Sequence, residues 1–562
     1  MFRRAVSVIL ILLTVAMVSY SQEEVAAVTS AHHLATEAAM EVLRDGGNAA
    51  DAAFTTAAVL TIVQPWFSSV MGGGTWALHY DAAREQVTAL DGVGPAADGA
   101  TPEFFQNNDN ARRSGMHQAV VPGAWAGWME WLKEHGSLPL DELLEPAVTI
   151  AEAGYEVYPG MRVWLERGES NIRNWPYSRE LYMPDGALLE VGERIRQPRM
   201  ANTFREIQRV WRSTVGAGRG AAFDAAADYF YRGPIAESIV AYSDDHGGLF
   251  ALSDFTGFRT SLVEPVTSDY RGITVYQNPP NSQGVTMLMA LNVLEGYDFS
   301  DYNPNDPNAV HLQVEAIKLG HGAKHRHVGD PEWNDIPVDT LLSEQWAQEA
   351  RNLISMNSAL TWPFPNIVAE LERSNTTTFS IVDSEGNGAA VTTSLGAQFL
   401  VAGPSGVHIN NRMRMFYYGY GYPNTVQPGK KVRHTSNPYI AFRDGELYIL
   451  GGNTGVDTQP QGQVQQFISV VEFGLTPQEA VARPRFITRA FPAGQWPFRA
   501  QNDLAMEPGT PESLIEGMKD KGHTIISGGI WGNAQMIVID PETGRIMTGT
   551  DPRGGMGRGI VE

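Results

Sequence analysis

A run of three threonines, residues 376–378, carries side chains that could do nucleophilic chemistry. The run follows a polar stretch and precedes Phe379, Ile381 and Val382, an alternating apolar pattern typical of a β-strand. Threonines are common in strands because they are β-branched. A threonine hydroxyl also becomes a useful nucleophile when the chain is cut in front of it, because the new α-amine is then an adjacent base. From these residues alone, two interpretations stay open: the run is an ordinary strand start, or one threonine is a nucleophile that chain cleavage exposes.

Other catalytic patterns are weaker. The glycine-flanked serine of "AGPSG" (402–406) lacks the strand-to-helix setting of a nucleophile elbow. His321 and His325 have the i,i+4 spacing of two metal ligands, and His327 follows, but no glutamate lies between them as in metalloproteases, so a polar helix end is the simpler interpretation. The glycines at 72–74 lack the lysine of a phosphate-binding loop and favour close backbone packing. We predict no metal and no cofactor.

The elements that must position these residues change along the chain. Residues 34–61 predict two helices separated by a Gly-Gly pair. After Thr376 short strands dominate, namely "FSIVD", "AAVTTSL", "GVHINN", "YIAF", "LYILGG" and "QMIVID". The lack of regular βαβ repeats predicts α+β layers. Residues 160–200 and 416–431 read as irregular surface, and the second segment could instead be a flap over a pocket.

Composition limits the function classes. An apolar content of 43% with 19% charged residues is typical of a globular enzyme. A net charge of −22 argues against a nucleic-acid partner, which needs a basic face. The absence of cysteine excludes disulfides and thiolate chemistry.

Residues 1–21 read as a secretory signal peptide. Arg3 and Arg4 precede an apolar run, and a small-x-small site ends before Gln22. Its removal gives a charge of 39 − 63 = −24. We therefore predict an exported, periplasmic or extracellular protein without a stable membrane span; the alternative is that the segment stays as an anchor.

Several longer motifs follow one another in the chain: "GGNAADAA" (46–53), "QPWFSSVMGGGTWALHYD" (64–81), "VVPGAWAGW" (120–128), "TTTFSIVDSEGNGAAVTTS" (376–394), "INNRMRMF" (409–416) and "DPRGGMGRG" (551–559). In this order they resemble the γ-glutamyltranspeptidase (glutathione hydrolase) family of N-terminal-nucleophile hydrolases. The resemblance implies a four-layer αββα fold and a precursor that cuts itself. The expected products are a large subunit, 22–375, and a small catalytic subunit, 376–562, which stay together as a heterodimer.

The same resemblance implies the catalytic residues. The family's Thr-Thr-His pattern aligns with the threonine run, so Thr376 is the expected nucleophile and the cut falls between Asn375 and Thr376. Thr378 replaces the histidine, so the register between Thr376 and Thr377 stays open. Ser394 aligns with the second hydroxyl, which supports the nucleophile.

The glycine-rich segment "GGNTGVDT" (451–458) aligns with the family's oxyanion loop. Gly455 and Val456 stand where the family has two glycines, and each backbone donor in such a loop is worth about 3 kcal/mol in the transition state. The donors survive this change if Val456 does not need a positive φ.

The residues that recognise glutamate in the family are replaced. "LDGVGPA" (90–96) lacks the family's carboxylate-binding arginine, and the serine pair aligns with His434 and Thr435. The glutamine and aspartate that hold the α-amine align with Arg412 and Met415.

These changes predict a different acyl group. A substrate ammonium would lose its counter-charge and be repelled by Arg412, and losing one partner of a buried charged contact costs about 3–5 kcal/mol. An asparagine beside the supporting hydroxyl is also replaced, by Gly396.

The sequence leaves two alternatives for the acyl pocket and three for the function. Arg412, Arg433 and His434 could hold an anionic acyl group, whereas Met415 and the tyrosines at 417–418 could line an apolar pocket. The leading hypothesis is an amidohydrolase or acyltransferase that acts on a small-molecule amide or peptide other than a γ-glutamyl compound. The alternatives are a true γ-glutamyl hydrolase or transferase with an altered clamp, and a non-catalytic binding protein.

Overall fold

The computed structural model describes residues 25–362, 376–495, 498–529 and 532–562. The predicted signal segment and Asn375, the residue before the predicted cut, lie outside these ranges. Within the described ranges, no helix is long and apolar enough to cross a membrane.

Two antiparallel sheets form the centre of the molecule. The first has, in spatial order, β18 (Arg558–Val561), β1 (Ala27–Ser30), β9 (Thr376–Val382), β10 (Gly388–Ser394), β2 (Gly74–Asp81), β3 (Gln86–Gly92) and β6 (Leu262–Val263). The second has β17 (Ile546–Thr550), β16 (Ala534–Ile539), β12 (Glu446–Asn453), β11 (Tyr439–Arg443), β8 (Ile273–Gln277) and β7 (Val266–Tyr270). Short strands form two further sheets, β4 (Tyr155–Glu156) with β5 (Arg194–Ile195), and β13 (Phe486–Thr488) with β14 (Leu504–Met506) and β15 (Ile525–Ser527).

Helices cover the outer faces of both large sheets. Those of the first half are α1 (His33–Arg44), α2 (Ala49–Val63), α3 (Pro102–Asn107), α4 (Ala124–Glu134), α5 (Leu140–Ala153), α6 (Pro159–Asn174), α7 (Pro176–Tyr182), α8 (Pro198–Thr214), α9 (Arg219–Tyr231), α10 (Pro234–Asp245) and α11 (Leu252–Thr256). Then come α12 (Val285–Glu295), α13 (Pro307–His327), α14 (Val338–Leu341), α15 (Glu344–Arg351), α16 (Thr458–Val471), α17 (Pro477–Ala482) and α18 (Glu512–Asp520). Helices α2 and α4 contact the first sheet, whereas α12 and α16 contact the second.

The alternation of apolar side chains explains the four layers. Phe379 and Ile381 pack in the core between the first sheet and its helices. Val382 has the opposite parity and joins Ile440 in the core between the two sheets. Tyr439, the neighbour of Ile440, packs with the helices of the second sheet. Because successive side chains point to opposite faces, each strand serves two cores. The α+β, four-layer αββα prediction is confirmed.

Some of the helices and strands predicted from the sequence form in the structure, and others do not. The two helices predicted in residues 34–61 are α1 and α2, and Asn48 caps α2 by accepting from two backbone amides. The irregular surface predicted for residues 160–200 is wrong in part, because α6 and α7 form there. Each begins with a proline at its first turn, where no amide hydrogen is needed. The "GVHINN" strand is also wrong, since residues 406–411 make only an isolated bridge.

Candidate active site

The two predicted catalytic hydroxyls lie side by side at the ends of adjacent strands. Thr376 begins β9 and Ser394 ends β10, and the antiparallel register places them opposite each other. Their hydroxyl oxygens are 2.9 Å apart, so one donates to the other. Both side chains are buried. The pair therefore forms a short hydrogen-bonded unit on the face of the first sheet that looks towards the second.

Only one of the three adjacent threonines meets Ser394 in this way. Thr377 has the opposite parity, and its hydroxyl has no hydrogen-bond partner among the described residues. The Thr378 hydroxyl donates to the Val391 carbonyl at 2.8 Å and lies against Gly452 of β12. The geometry thus favours Thr376 over Thr377 as the nucleophile, which stays a prediction.

Arg412 completes this unit from a 3₁₀ turn, Arg412–Met415. Its Nη1 donates to the Ser394 hydroxyl at 2.7 Å, and its Nη2 donates to the Asn411 side chain at 2.7 Å. Burial lowers the pKa of Arg412 to about 9, so the guanidinium is still charged at neutral pH. No carboxylate of the described residues pairs with it. A buried cation without a counter-ion is costly, which suggests that an anion belongs beside it.

Gly396 makes room for the guanidinium. Its φ is +116°, and a Cβ there would lie 2.4 Å from Arg412 Nη2 and 1.8 Å from the Asn411 side-chain oxygen. The residue that aligns with the family's asparagine is therefore a glycine for a steric reason. The two replacements, at 396 and 412, fit together as a pair.

A Gly396→Ala variant is expected to be destabilised by about 3 kcal/mol, from the positive φ and from overpacking against Asn411 and Arg412. Gly386→Ala is the matched control, because Gly386 has a φ of +83° but its Cβ would meet only Ala82, at 3.7 Å. We expect about 1 kcal/mol there. Chemical denaturation of both variants measures the difference, and equal losses would show that the crowding at Gly396 has no cost.

His434 and Thr435 follow one another in the chain, and the His434 ring lies against Gly74, where β2 begins beside β10. His434 Nδ1 accepts from the Ser436 amide at 3.2 Å, so we assign the proton to Nε2. A Cβ at Gly74 would lie 3.0 Å from this Nε2, and Nε2 has no partner among the described residues. Burial first and Arg412 second lower the pKa of His434 well below its usual value, so the imidazole is neutral. The Thr435 hydroxyl is likewise buried and without a partner in the described chain.

The predicted oxyanion loop joins β12 to α16. Within the described residues, neither the Gly455 amide nor the Val456 amide donates a hydrogen bond. Free amides next to a helix N-terminus suit a developing negative charge. However, Val456 has a φ of +41°, so the condition stated for the valine is not met. A β-branched residue in this region stores strain of about 1–3 kcal/mol.

Other predicted binding residues lie elsewhere. Met415 is enclosed in an apolar cluster with Trp76, Phe105 and Tyr418. Arg433 donates to the Lys324 and Val328 carbonyls at the end of α13, at 3.3 and 3.4 Å. Met415 therefore fills a core, and Arg433 stabilises a helix terminus.

Two of the histidines singled out in the sequence, His321 and His325, pack against aromatic rings. His321 stacks on Phe491 with ring centres 3.9 Å apart, and His325 bonds to the Tyr417 hydroxyl at 2.6 Å. Burial lowers the pKa of His321 well below its usual value and that of His325 to about 3. Both rings are therefore neutral, which suits side chains packed on a buried helix face.

A different group comes close enough to hold a metal ion in the described chain, namely His311, Glu315 and His523. His311 and His523 are joined by a 2.8 Å hydrogen bond, and Glu315 pairs with Lys318 at 2.8 Å. These partners already satisfy the side chains, so the group serves as a hydrogen-bond network.

Gln283 and Lys324 are positioned near the site although no residue-level pattern marked them. Gln283 contacts both the Thr435 and the Val456 carbonyls, and Lys324 contacts Gln283. Lys324 lies at the histidine-rich helix end considered in the sequence, and Gln283 lies in the stretch "NPPNSQG" (278–284). These two residues could not be found from the sequence, because they meet the site only through contacts between distant segments of the chain.

Comparison with known proteins agrees with this geometry. The family model described as gamma-glutamyltranspeptidase matches residues 35–560. The glutathione hydrolase-like YwrD proenzyme of Bacillus subtilis (strain 168) is 30% identical over 94% of this chain and 97% of its own length. The acylase ACY 1 proenzyme of Pseudomonas sp. (strain SE83) is 28% identical over 92% of this chain and 90% of its own. The crystal structure of cephalosporin acylase from Bacillus halodurans superposes with a TM-score of 0.83 at 30% identity, covering 95% of both chains.

The facing sheets, their covering helices and this structural likeness define an N-terminal-nucleophile hydrolase fold. The family model matches nearly the whole chain, which narrows the assignment from this fold to one family. The chain belongs to the gamma-glutamyltranspeptidase family, whose members are hydrolases and transferases.

Proposed function

We propose that the protein is a self-cleaving threonine amidohydrolase of this family whose acyl group is not γ-glutamyl. The observation that carries the proposal is the hydrogen-bonded pair of Thr376 and Ser394, 2.9 Å apart. The Gly455 and Val456 amides, which donate to no other described residue, and a buried guanidinium at Arg412 accompany this pair. Nucleophile, supporting hydroxyl and oxyanion donors are the parts that amide cleavage requires.

The chemistry follows from these parts. A cut between Asn375 and Thr376 gives Thr376 a free α-amine, whose ordinary pKa of about 7.7–8.0 leaves a useful neutral fraction near pH 7–8. The hydroxyl attacks the amide carbonyl while the amine takes its proton, and the amine then protonates the leaving nitrogen. The Gly455 and Val456 amides stabilise the oxyanion. Water, or an acceptor amine, releases the acyl group.

The acyl group in this proposal carries a negative charge. Arg412 is buried without a carboxylate partner in the described chain, and it stands where the family holds an ammonium. The Nε2 hydrogen of His434 and the Thr435 hydroxyl are further donors that find no acceptor among the described residues. The alternative apolar pocket loses support, because Met415 and Tyr418 already fill a packed cluster. Two of the similar proteins are named as acylases.

Export and subunit composition belong to the same proposal. The N-terminal segment 1–21 supports secretion, and proenzyme names among relatives support a heterodimer of 22–375 with 376–562. The two chains would stay together because β9 lies between β1 and β10 in one sheet, with β1 in the large subunit.

We expect purified wild-type protein to give two masses, and the smaller chain to begin Thr-Thr-Thr-Phe. Intact-mass analysis and N-terminal sequencing measure this. A matched set of anilides then tests the acyl group: glutaryl and succinyl as anions, butyryl as a neutral acyl, and γ-glutamyl. Turnover should be highest for an anionic acyl and poor for γ-glutamyl. A single uncut chain would refute the threonine mechanism, and preference for γ-glutamyl would refute the changed specificity.

A further inference from the structure

The strained backbone at Val456 needs a restraint. A valine prefers negative φ, yet here φ is +41° in the segment that presents the two free amides. Such a conformation persists only where the surroundings over-determine it. If Val456 relaxed, the peptide plane between Gly455 and Val456 would rotate and its N–H would leave the oxyanion position.

One buried side chain supplies that restraint. The Gln283 amide nitrogen donates to the Val456 carbonyl at 2.7 Å and to the Thr435 carbonyl at 2.7 Å. Gln283 is fully buried in the turn that precedes α12. A single amide group therefore fixes the oxyanion loop and joins it to the segment that carries His434 and Thr435.

A buried ion pair holds this glutamine in turn. Lys324 on α13 donates to the Gln283 side-chain oxygen at 3.1 Å and to Asp457 at 2.6 Å. The other Asp457 oxygen accepts from the Gly494 amide. Asp457 directly follows Val456, so the chain on the C-terminal side of the strained residue is tied to α13 through the Val456 carbonyl and through the Asp457 carboxylate.

We propose that Gln283 is a positioning residue for the oxyanion hole, held in place by Lys324 and Asp457. It acts by keeping Val456 at positive φ, so that the Gly455 and Val456 amides point at the reacting carbonyl. The inference rests on the proposed function, because it concerns the same reaction.

The first test uses p-nitrophenyl acetate, an activated ester whose small acyl group needs no acyl pocket. Gln283→Leu should lower the maximal rate of Thr376 acylation about 10- to 100-fold, with the half-saturating ester concentration unchanged within about twofold, because only transition-state contacts are lost. Gln208→Leu is the matched control, since Gln208 is equally buried and donates to Asp141 and Glu145 in the outer helices. Its acylation rate should match wild type.

A double-mutant cycle separates positioning from general damage. Glycine adopts positive φ without strain, so Val456→Gly should recover most of the acylation lost in Gln283→Leu. Asp457→Asn, a milder variant that keeps the shape, should lower acylation about 3- to 10-fold and guards against failure of Gln283→Leu to fold. Circular dichroism and intact mass establish folding and cutting for each variant.

Failure of this inference and failure of the proposed function give different results. A burst in wild type with equal acylation in folded, cut Gln283→Leu overturns the inference, as does a loss that Val456→Gly fails to recover. Absence of any acylated Thr376 in cut wild-type protein overturns the proposed function instead.

Discussion

Replacement of Thr376 with alanine is expected to leave the protein as one uncut chain that forms no acyl-enzyme. In the proposed mechanism the hydroxyl is required twice, to cleave the chain before residue 376 and to attack the substrate, and no other hydroxyl of the described residues is proposed for either step. Ser394 lies 2.9 Å away but has no adjacent free amine. Loss of a nucleophile typically removes at least about 10⁴-fold of the rate. Intact mass before and after treatment with p-nitrophenyl acetate measures both effects.

Thr377→Ala provides the matched control for this experiment. Thr377 is also a threonine of β9, but its side chain points to the opposite face of the sheet. Its hydroxyl has no partner in the described chain. The variant should be cut and acylated like wild type, with a small change in stability. If Thr377→Ala stays uncut while Thr376→Ala is processed, the register is displaced by one residue and Thr377 is the nucleophile.

The family resemblance named Thr376 and Ser394, and local pairing in the structure explains why these two residues meet. A tight connection at residues 383–387 joins β9 to β10, and an antiparallel hairpin then fixes which residues face each other. Thr376 and Ser394 are therefore paired by contacts within one short segment. The helices α1 and α2 were predictable for a similar reason, since their spacing and caps are local.

Features that depend on distant segments could not be predicted in this way. The contacts of Gln283 join residues at 283, 324, 435 and 456, and nothing in the "TGVD" stretch indicates a positive φ at its valine. The helix α6 was missed because its glycine and polar residues resemble a loop. Its helical structure depends on burial of Met161, Leu165 and Ile172 against the rest of the first helical layer.

The charge of the site contrasts with that of the whole molecule. The chain carries a net charge of −22, yet Arg412 is buried beside the predicted nucleophile and has no carboxylate partner among the described residues. Natural proteins retain costly buried charges where function requires them. An anionic acyl group, as proposed, would give the guanidinium a counter-charge, whereas the γ-glutamyl ammonium would be repelled.

Arg412→Gln is therefore expected to lose anionic acyl groups selectively. Turnover of the best anionic anilide (kcat/KM) should fall about 30-fold or more, because truncating one partner of a buried charged contact costs about 2–5 kcal/mol. Turnover of the butyryl anilide should change less than about threefold. The free enzyme should be as stable as wild type or more so, since the variant removes a buried charge that has no carboxylate partner in the described chain. Steady-state kinetics on both anilides and the denaturation midpoint measure these effects.

Arg433→Gln separates binding of the acyl group from the general loss of a buried arginine. The guanidinium of Arg433 bonds to the carbonyls that end α13, so its removal should lower the denaturation midpoint and leave the ratio of anionic to neutral turnover unchanged. Arg412 also donates to the Ser394 hydroxyl at 2.7 Å. If Arg412→Gln reduced both anilides equally, Arg412 would act on the nucleophile through Ser394, and the acyl group would be bound elsewhere. Unequal loss, by contrast, requires that the guanidinium meets the acyl charge directly.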